Sequence, residues 1–245
     1  MKNINENIDE NEIKKFAAMA QEWWNENGKL KSLHQFNPIR LTYLREKLLA
    51  HFGLDGAAFA PLTNLKILDI GCGGGLICEP LARLGAQMTG IDPIAANIEI
   101  AKAHSQNSAL NINYRCTTIE NLNDEKFDVI LILEVIEHIN NIESFIAAAT
   151  RNLKPGGLIF IATLNRTIKS YLLAIVGAEY ILRLLPIGTH DWRKFLKPAE
   201  IYQIANNNSL KLLDSCGFSF NPLCKSWKKN NDLSVNYIMT YEKNN

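Results

Sequence analysis

The feature of this sequence that most restricts its fold is a run of glycines directly after a largely apolar segment. Residues 65–70 have the composition of a short buried strand, and four of the next five residues, from Gly71 to Gly75, are glycines. Glycine adopts positive φ angles readily and lets a ligand approach the bare backbone. The amides of a helix N-terminus that follows can meet a negatively charged group. The run therefore predicts a strand–turn–helix unit that binds a small molecule.

Strands and helices alternate after the glycine run. Further strands are predicted at residues 87–91, 112–117, 127–133 and 158–163, with helices at 76–84, 94–104 and 142–153. Such βαβ alternation implies an α/β fold with a mainly parallel sheet and helices on both faces. The last two predicted strands, 210–215 and 235–241, have no clear helix between them and indicate an antiparallel pair at the sheet edge.

Two helices are predicted ahead of the sheet. Apolar residues recur at helical spacing from Ile13 to Trp24, and a second helical stretch follows Pro38, over residues 39–51. We expect one domain with four parts. These are an N-terminal helical cap (1–60), a cofactor-binding half (65–163), an insertion (164–197), and a late helix with the C-terminal strands (198–245).

Charge and cysteine content argue against several classes of function. The formal net charge is +1, without the excess of positive charge that nucleic-acid binding usually needs, so no nucleic-acid partner is expected. The five cysteines form no C-x-x-C pair, which argues against a zinc site and a disulfide framework and fits a reducing compartment. The N-terminus has no apolar core of a secretory signal, and residues 171–187 are too short and too charged to span a bilayer. We expect a cytoplasmic protein.

An acidic residue follows the glycine run at the distance typical of a carboxylate that binds ribose. Asp92 ends the second predicted strand, 21 residues after Gly71. An ordinary glycine-rich turn is the alternative without function, and a nicotinamide enzyme is the rival enzyme. The G-x-G-x-x-G pattern of the latter fails, because Leu76 stands where the third glycine is needed. The form D-x-G-x-G-x-G at Asp69, Gly71, Gly73 and Gly75 instead resembles the first motif of S-adenosylmethionine methyltransferases.

Three candidate ligands or bases follow the fourth strand. If this segment is helical, Glu134, Glu137 and His138 lie at i, i+3 and i+4 and share one face. Such an oxygen-rich group at the C-terminal edge of a parallel sheet suits Mg²⁺, whose field would help to ionise a bound aryl hydroxyl. Solvated helix charges and an imidazole at a helix end fit the same spacing. Many methyltransferases also have an acidic residue here without any metal, so the spacing leaves these alternatives open.

Runs outside the nucleotide-binding half carry a more specific resemblance. Trp23-Trp24, Gly28, Leu33-His34, Asn37-Pro38 and Arg40 resemble the N-terminal signature of the ubiquinone biosynthesis O-methyltransferase family. The runs 163–167, 176–182, 188–192, 194–195, 197–200 and 235–237 resemble the same family. The match extends from about Glu12 to Tyr241. It implies a Rossmann-like class I methyltransferase fold with a seven-stranded sheet, an N-terminal helical extension and a helical insertion after the fifth strand.

The resemblance also implies a cofactor and site residues. S-adenosylmethionine would contact Arg40, Gly71, Gly73, Asp92 and Leu133, and a guanidinium such as that of Arg40 can hold the methionine carboxylate bidentately. Glu134, Glu137 and His138 match positions assigned to a divalent metal in mitochondrial relatives, which makes Mg²⁺ the second expected cofactor. The catalytic candidates are His138 as the first choice of base, Glu134, and His190 as the second choice of base.

The family implies a polyprenylated substrate. Its members methylate a ring hydroxyl of a polyprenyl catechol, 2-polyprenyl-6-hydroxyphenol, and of 3-demethylubiquinol. Because such a tail dissolves in the bilayer, we expect residues 170–187 to form a lid with peripheral contact to the inner face of the cytoplasmic membrane. A buried helix is the alternative for that segment. A complex with other enzymes of ubiquinone biosynthesis is also expected. Methylation of another small phenol, or a catalytically inactive S-adenosylmethionine-binding scaffold, are the alternative functions.

Overall fold

The computed structural model describes residues 7, 13, 16–122, 125–173, 191–221, 224 and 226–244. Eight strands form one sheet: β1 (Lys66–Ile70), β2 (Gln87–Asp92), β3 (Asn113–Cys116), β4 (Phe127–Leu133), β5 (Leu153–Leu164), β6 (Leu210–Asn221), β7 (Ser226–Asn230) and β8 (Asn236–Lys243). The helices are α1 (Lys31–Phe52), α2 (Cys78–Arg83), α3 (Ala95–Asn107), α4 (Ile142–Asn152) and α5 (Pro198–Asn207), with a single helical turn at Ile168–Ser170.

The sheet has the strand order β3-β2-β1-β4-β5-β8-β6-β7. Strands β1 to β5 pair in parallel, and β8 lies antiparallel between β5 and β6. This confirms the mainly parallel α/β sheet and the late antiparallel pair. The sheet has eight strands rather than the expected seven because β7 adds an edge strand. Its sequence, Ser-Trp-Lys-Lys-Asn, shows no apolar alternation, so the sequence pattern did not reveal it.

Two apolar layers cover the faces of the sheet. Alternate residues of the strands pack on one face against α1, α2 and α3, and on the other face against α4 and α5. Strands that are buried on both faces read as continuous apolar runs, which is why β4 and most of β5 were visible in the sequence. The order of the strands reverses between β1 and β4, so their carboxyl ends leave a crevice there.

The N-terminal region differs from its prediction. Among the described residues Ile13, Phe16 and Ala17 are helical, as predicted, but turns and a 3₁₀ segment at Ala20–Glu22 follow, so the helix does not continue to Trp24. Helix α1 begins at Lys31, well before Pro38, which lies inside it. Proline removes one helical hydrogen bond, and burial of Phe36, Tyr43 and Leu44 of the same helix in the core offsets that loss.

The insertion after β5 is described only in part. Thr167 caps the turn Ile168–Ser170, and the side chains of Thr167 and Ser170 bond each other's backbone amides. Residues 174–190 lie outside the described part of the chain, so His190 and most of the predicted lid lie there too. Among the described residues, no helix has the length and apolar character needed to cross a membrane.

Candidate active site

A cavity of about 580 Å³ lies at the carboxyl ends of the parallel strands. It extends from the glycine run and Asp92 at one end to β6 and β7 at the other. Arg40, Leu133, Glu134, Glu137 and His138 also line it. The cavity therefore brings together most of the residues that the sequence singled out. Gly73 is not among its lining residues and forms part of the loop behind it.

The glycine run is packed too tightly for side chains. Gly71 has φ +70°, and a Cβ atom there would lie 2.5 Å from the side chain of Val135. Gly73 has φ +53°, and a Cβ atom there would lie 2.3 Å from the indole ring of Trp23. The amide of Gly71 donates to the carbonyl of Ile91 over 2.8 Å, which ties the loop to the end of β2. Glycine is thus required by conformation and by close approach.

Two tryptophans hold the N-terminal region on this loop. Trp23 Nε1 donates to Asn97 Oδ1 over 2.9 Å, and Trp24 Nε1 donates to the carbonyl of Gly74 over 2.9 Å. The ring of Trp24 also stacks on His104, with ring centroids 3.4 Å apart and an interplanar angle of 4°. The sequence identified both tryptophans only as part of a family signature, because no local pattern indicates which surface an indole ring will cover.

Asp92 is held by backbone and side-chain donors at the end of β2. Its Oδ2 accepts from the amide of Gly73 at 3.0 Å, and its Oδ1 accepts from the amide of Ile94 at 2.8 Å and from Asn97 Nδ2 at 3.3 Å. Burial raises the pKa of Asp92, and these three donors oppose the rise. A carboxylate has four lone-pair directions, so Asp92 can still accept a hydrogen bond from a ligand hydroxyl in the cavity.

Arg40 is a buried cation with unused donors. Its side chain is only 2% exposed, and Nη1 lies 3.3 Å from Oε1 of Glu134. Nη2 donates to Asn37, and the guanidinium carbon lies 4.6 Å from the ring centroid of Phe36. Nε has no hydrogen-bond partner in the described part of the chain. Burial lowers the pKa of Arg40. The negative charges of Glu134, Asp69 and Glu137 oppose this lowering. Such a group can bind a ligand carboxylate.

The prediction that Glu134, Glu137 and His138 share one face of an α-helix is wrong. Glu134 has φ +57°, and a 3₁₀ turn at Ile136–His138 follows it instead of an α-helix. Glu134 therefore extends to Arg40, whereas buried Glu137 accepts from Thr163 Oγ1 over 2.9 Å. The ring of His138 stands edge-on to Phe16, with centroids 5.2 Å apart.

This arrangement does not fit a metal centre. Glu134 and Glu137 each bind a different protein partner, and among the described residues no three His, Cys, Asp or Glu side chains are placed to hold a metal ion. Burial and the charge of Glu134 raise the pKa of Glu137 to about 7, and the attraction of His138 opposes this.

Asp69 is a third buried carboxyl group that lines the cavity, after Asp92 and Glu137. Burial raises its pKa to about 7, and the Cys78 thiol, 3.3 Å from Oδ2, and the charge of Arg40 oppose the rise. In the unfolded chain its pKa returns to the ordinary value of 3.8. The folded state thus binds more protons between these two pH values, so Asp69 destabilises the fold progressively as pH rises from about 4 to about 7.

Asp69→Asn is therefore expected to gain stability relative to the wild type as pH rises. Urea unfolding at pH 5 and pH 8 should show the larger gain at pH 8, where the wild-type carboxylate is charged and buried. Asp232→Asn is the control: Lys169 donates to Asp232 and holds its pKa at about 2, so no such gain is expected between these pH values. An equal effect of Asp69→Asn at both pH values would contradict the raised pKa.

Aromatic side chains form the far wall of the cavity. We call Phe36, Phe218, Phe220 and Trp227 the aromatic wall. The Phe36 ring lies 5.2 Å from that of Phe218 and 4.4 Å from that of Trp227, and Phe220 lies 5.3 Å from Trp227. This wall was not predicted from the sequence. The alternation of Phe218 and Phe220 was the available signal, but their partners come from α1 and β7.

Comparisons with known proteins place the chain among methyltransferases. Residues 68–161 match a family model described as a methyltransferase domain. A ubiquinone biosynthesis O-methyltransferase of Bartonella bacilliformis is 54% identical and covers 95% of this chain and 94% of its own length. The protein of the same name from Pelagibacter ubique is 52% identical and covers 97% of this chain and 99% of its own length.

Solved structures confirm the class I methyltransferase fold. Magnesium protoporphyrin IX methyltransferase from Synechocystis, with bound SAM, has a TM-score of 0.63 at 15% identity and covers 98% of this chain and 99% of its own. The plantazolicin methyltransferase, solved with a substrate analogue and SAH, has a TM-score of 0.61 at 24% identity and covers 96% of this chain and 97% of its own. At these identities the likeness shows the fold alone.

Proposed function

The chain belongs to the ubiquinone biosynthesis O-methyltransferase family, and we propose that it transfers a methyl group from S-adenosyl-L-methionine to a ring hydroxyl of 2-polyprenyl-6-hydroxyphenol and of 3-demethylubiquinol. The main support for the proposal is that one cavity has two ends of different chemical character. The glycine run, Asp92 and Arg40 form a polar end, and the aromatic wall forms an apolar end. A charged nucleoside cofactor suits the first, and a prenylated ring suits the second.

We assign the cofactor to the polar end. Asp92 accepts from a ribose hydroxyl with its remaining lone pair, and the backbone of Gly71 allows close approach. Gly73 contributes indirectly, because its amide donates to the carboxylate of Asp92. Leu133 supplies apolar contact at the end of β4. Arg40 holds the methionine carboxylate, which replaces Glu134 as a partner of the guanidinium. The buried position of Arg40 supports this role, because a charge-assisted hydrogen bond between a guanidinium and a carboxylate is stronger away from water.

Catalysis in this proposal consists mainly of positioning and proton removal. S-adenosylmethionine supplies an electrophilic methyl group on a sulfonium, so the chain needs only to align a ring oxygen with it. His138 lines the cavity and takes the hydroxyl proton as the new O–CH₃ bond forms and the S–CH₃ bond breaks. The attraction between His138 and Glu137 favours the positive charge that the imidazole then carries. Glu134, beside Arg40, adds negative charge near the same proton.

No step of this mechanism passes through Mg²⁺, because the three candidate ligands do not converge in the structure. Turnover measured with and without a chelator tests whether the reaction requires a divalent metal. Loss of turnover with chelator and recovery with Mg²⁺ would mean that the segment after β4 rearranges when substrate binds.

The function is tested with labelled S-adenosylmethionine and a panel of prenylated catechols, simple phenols and demethylubiquinols. We expect label in the prenylated substrates and binding of S-adenosylhomocysteine by calorimetry. Transfer only to unprenylated phenols would favour the alternative of another small-phenol methyltransferase. Binding of S-adenosylhomocysteine with no transfer to any acceptor would favour the scaffold alternative.

Exposed apolar side chains beside the cavity support a peripheral membrane contact on the cytoplasmic face. Ile168, Leu172 and Leu173 are 78%, 53% and 54% exposed, and Tyr171 is also exposed. Leu173 lines the cavity, so this patch adjoins the site. A prenyl tail dissolved in the bilayer could then enter the cavity directly. Assembly with other enzymes of ubiquinone biosynthesis remains a prediction from the family.

Replacing Leu172 and Leu173 by serine is expected to weaken binding to anionic liposomes in a flotation assay. The reason is the loss of two side chains that would otherwise be buried among lipids, each of which contributes about 1.5–3 kcal/mol on full burial. Activity on prenylated catechol should fall, while S-adenosylhomocysteine binding is unchanged. Leu213→Ser is the matched control, because Leu213 is exposed on β6 and does not line the cavity. Failure of the wild type to float with liposomes would contradict the membrane contact.

A further inference from the structure

A buried amide side chain stands in the cavity without a role in the proposed mechanism. Asn236, the first residue of β8, is 8% exposed and lines the cavity. Its Oδ1 atom is fully buried and has no hydrogen-bond partner in the described part of the chain. Buried polar atoms in folded proteins nearly always have partners. Because Oδ1 has almost no accessible surface, a ligand in the cavity can meet it only after the amide turns about its Cβ–Cγ bond, and such a turn would give this atom the partner that it lacks.

The strand register shows where this amide lies. Asn236 pairs with Leu164 at the end of β5 and with Phe218 on β6. Both neighbours line the cavity, and residues that pair directly on adjacent strands share a face of the sheet. Asn236 thus lies between the carboxyl end of β5 and the aromatic wall. It is the point at which the catalytic edge of the sheet meets the apolar end of the cavity.

The aromatic wall contains a second polar atom without a partner. Trp227 Nε1 is buried and has no hydrogen-bond partner among the described residues. Trp227 pairs with Phe220 across β6 and β7, so the indole ring belongs to the same face as Phe218 and Asn236. The apolar end therefore combines aromatic surface with two buried polar atoms that have no partner among the described residues, Oδ1 of Asn236 and Nε1 of Trp227. That combination fits an oxygenated aromatic ring better than a hydrocarbon alone.

Arg40 sets the boundary of this subsite. Phe36 and Arg40 lie one turn apart on α1, so one helix face presents the aromatic wall and the guanidinium in succession. The cofactor is assigned to Arg40, and the ring would then lie on the Phe36 side. There the amide of Asn236 is available to a ring oxygen.

We propose that Asn236 is a specificity-determining residue that forms a hydrogen bond with the ring oxygen next to the hydroxyl that is methylated. A carboxamide both accepts and donates. It can accept from a neighbouring hydroxyl, as in a catechol, and it can donate to a neighbouring methoxy oxygen, as in 3-demethylubiquinol. One side chain then serves both substrates. The inference rests on the proposed function, and it identifies Asn236 as the side chain that selects the ring of the substrate.

A comparison of two substrates in two proteins tests this role. The substrates are a prenylated catechol and the prenylated phenol that lacks the neighbouring oxygen, and the proteins are the wild type and Asn236→Leu. We expect the wild type to favour the catechol by about tenfold or more in kcat/KM, since loss of one partner leaves buried polar groups unpaired. In Asn236→Leu the preference should shrink several-fold because of the loss on the catechol alone. S-adenosylhomocysteine binding should not change.

Asn152→Leu is the matched control. Asn152 is also a buried asparagine with an unpartnered Oδ1, but it lies on α4 and does not line the cavity. This control should keep the wild-type preference for the catechol. An unchanged catechol preference in folded Asn236→Leu would overturn the proposal. If that variant does not fold, Asn236→Ala, which also removes both the donor and the acceptor, replaces it in the same comparison.

Calorimetry separates a failure of this inference from a failure of the proposed function. Prenylated catechol and prenylated phenol are titrated into protein loaded with S-adenosylhomocysteine, which needs no turnover. Wild type that binds the catechol more tightly than the phenol, with the difference lost in Asn236→Leu, supports Asn236 even if no methyl transfer is seen. Equal affinity of wild type for both rings would overturn the role of Asn236, whatever the activity.

Discussion

Replacing Arg40 by methionine is expected to lower the affinity for S-adenosylmethionine and S-adenosylhomocysteine about 100-fold, or roughly 2.7 kcal/mol. Arg40 is buried with an unused donor at Nε, and its guanidinium is the cation that we assign to the methionine carboxylate. Removal of one member of a buried charge pair costs about 2–5 kcal/mol, because the other charge is left without a partner. Calorimetry with S-adenosylhomocysteine measures the loss.

Arg83→Met is the control for this change. Arg83 makes one ion pair with Glu79 one turn earlier on α2, its side chain is 55% exposed, and it does not line the cavity. Buried Glu79 keeps its contact with His104 when Arg83 is replaced, and neither Arg83 nor Glu79 lines the cavity, so cofactor affinity should stay close to that of the wild type. Methionine retains much of the apolar stem of Arg40 against Phe36, which limits the structural disturbance. Unchanged affinity in folded Arg40→Met would mean that another group binds the carboxylate.

Local patterns in the sequence were sufficient for the parallel half of the fold. Most residues of β1, β2 and β4 are buried, and the buried ones are largely apolar, while the glycine run marks the turn after β1. These signals are strong because each depends on neighbouring residues alone. Asp92 could be placed for the same reason, since the length of one βα unit determines its distance from Gly71.

Features that depend on distant contacts could not be predicted in this way. The turn at Glu134 has a positive φ angle that a non-glycine residue seldom adopts, so helical spacing was the natural but wrong interpretation. Pro38 suggested a helix start, whereas core packing extends α1 back to Lys31. Strand β7 and the aromatic wall exist only once α1, β6 and β7 meet. The unpartnered amide of Asn236 likewise becomes visible only when its surroundings are known.

Replacing Gly71 by alanine is expected to cost both stability and cofactor affinity, and Gly156 provides an unusually close control. Both glycines have φ +70°, but a Cβ atom at Gly71 meets Val135 at 2.5 Å, whereas at Gly156 nothing lies within 4 Å. A left-handed conformation costs an L-residue about 1–2 kcal/mol. In both variants the free energy of unfolding should fall by this amount, which urea unfolding measures.

The further effect in Gly71→Ala comes from the collision. Val135 must move to admit the new methyl group, and Val135 itself lines the cavity between Glu134 and the 3₁₀ turn that carries His138. Overpacking of this kind costs about 1–3 kcal/mol beyond the backbone strain. We therefore expect Gly71→Ala to lose more stability than Gly156→Ala and to bind S-adenosylhomocysteine at least about tenfold more weakly, while Gly156→Ala binds it normally. If both variants lose equal stability and keep the wild-type affinity, the φ angle alone requires the glycine, and close approach at this loop has no part in cofactor binding.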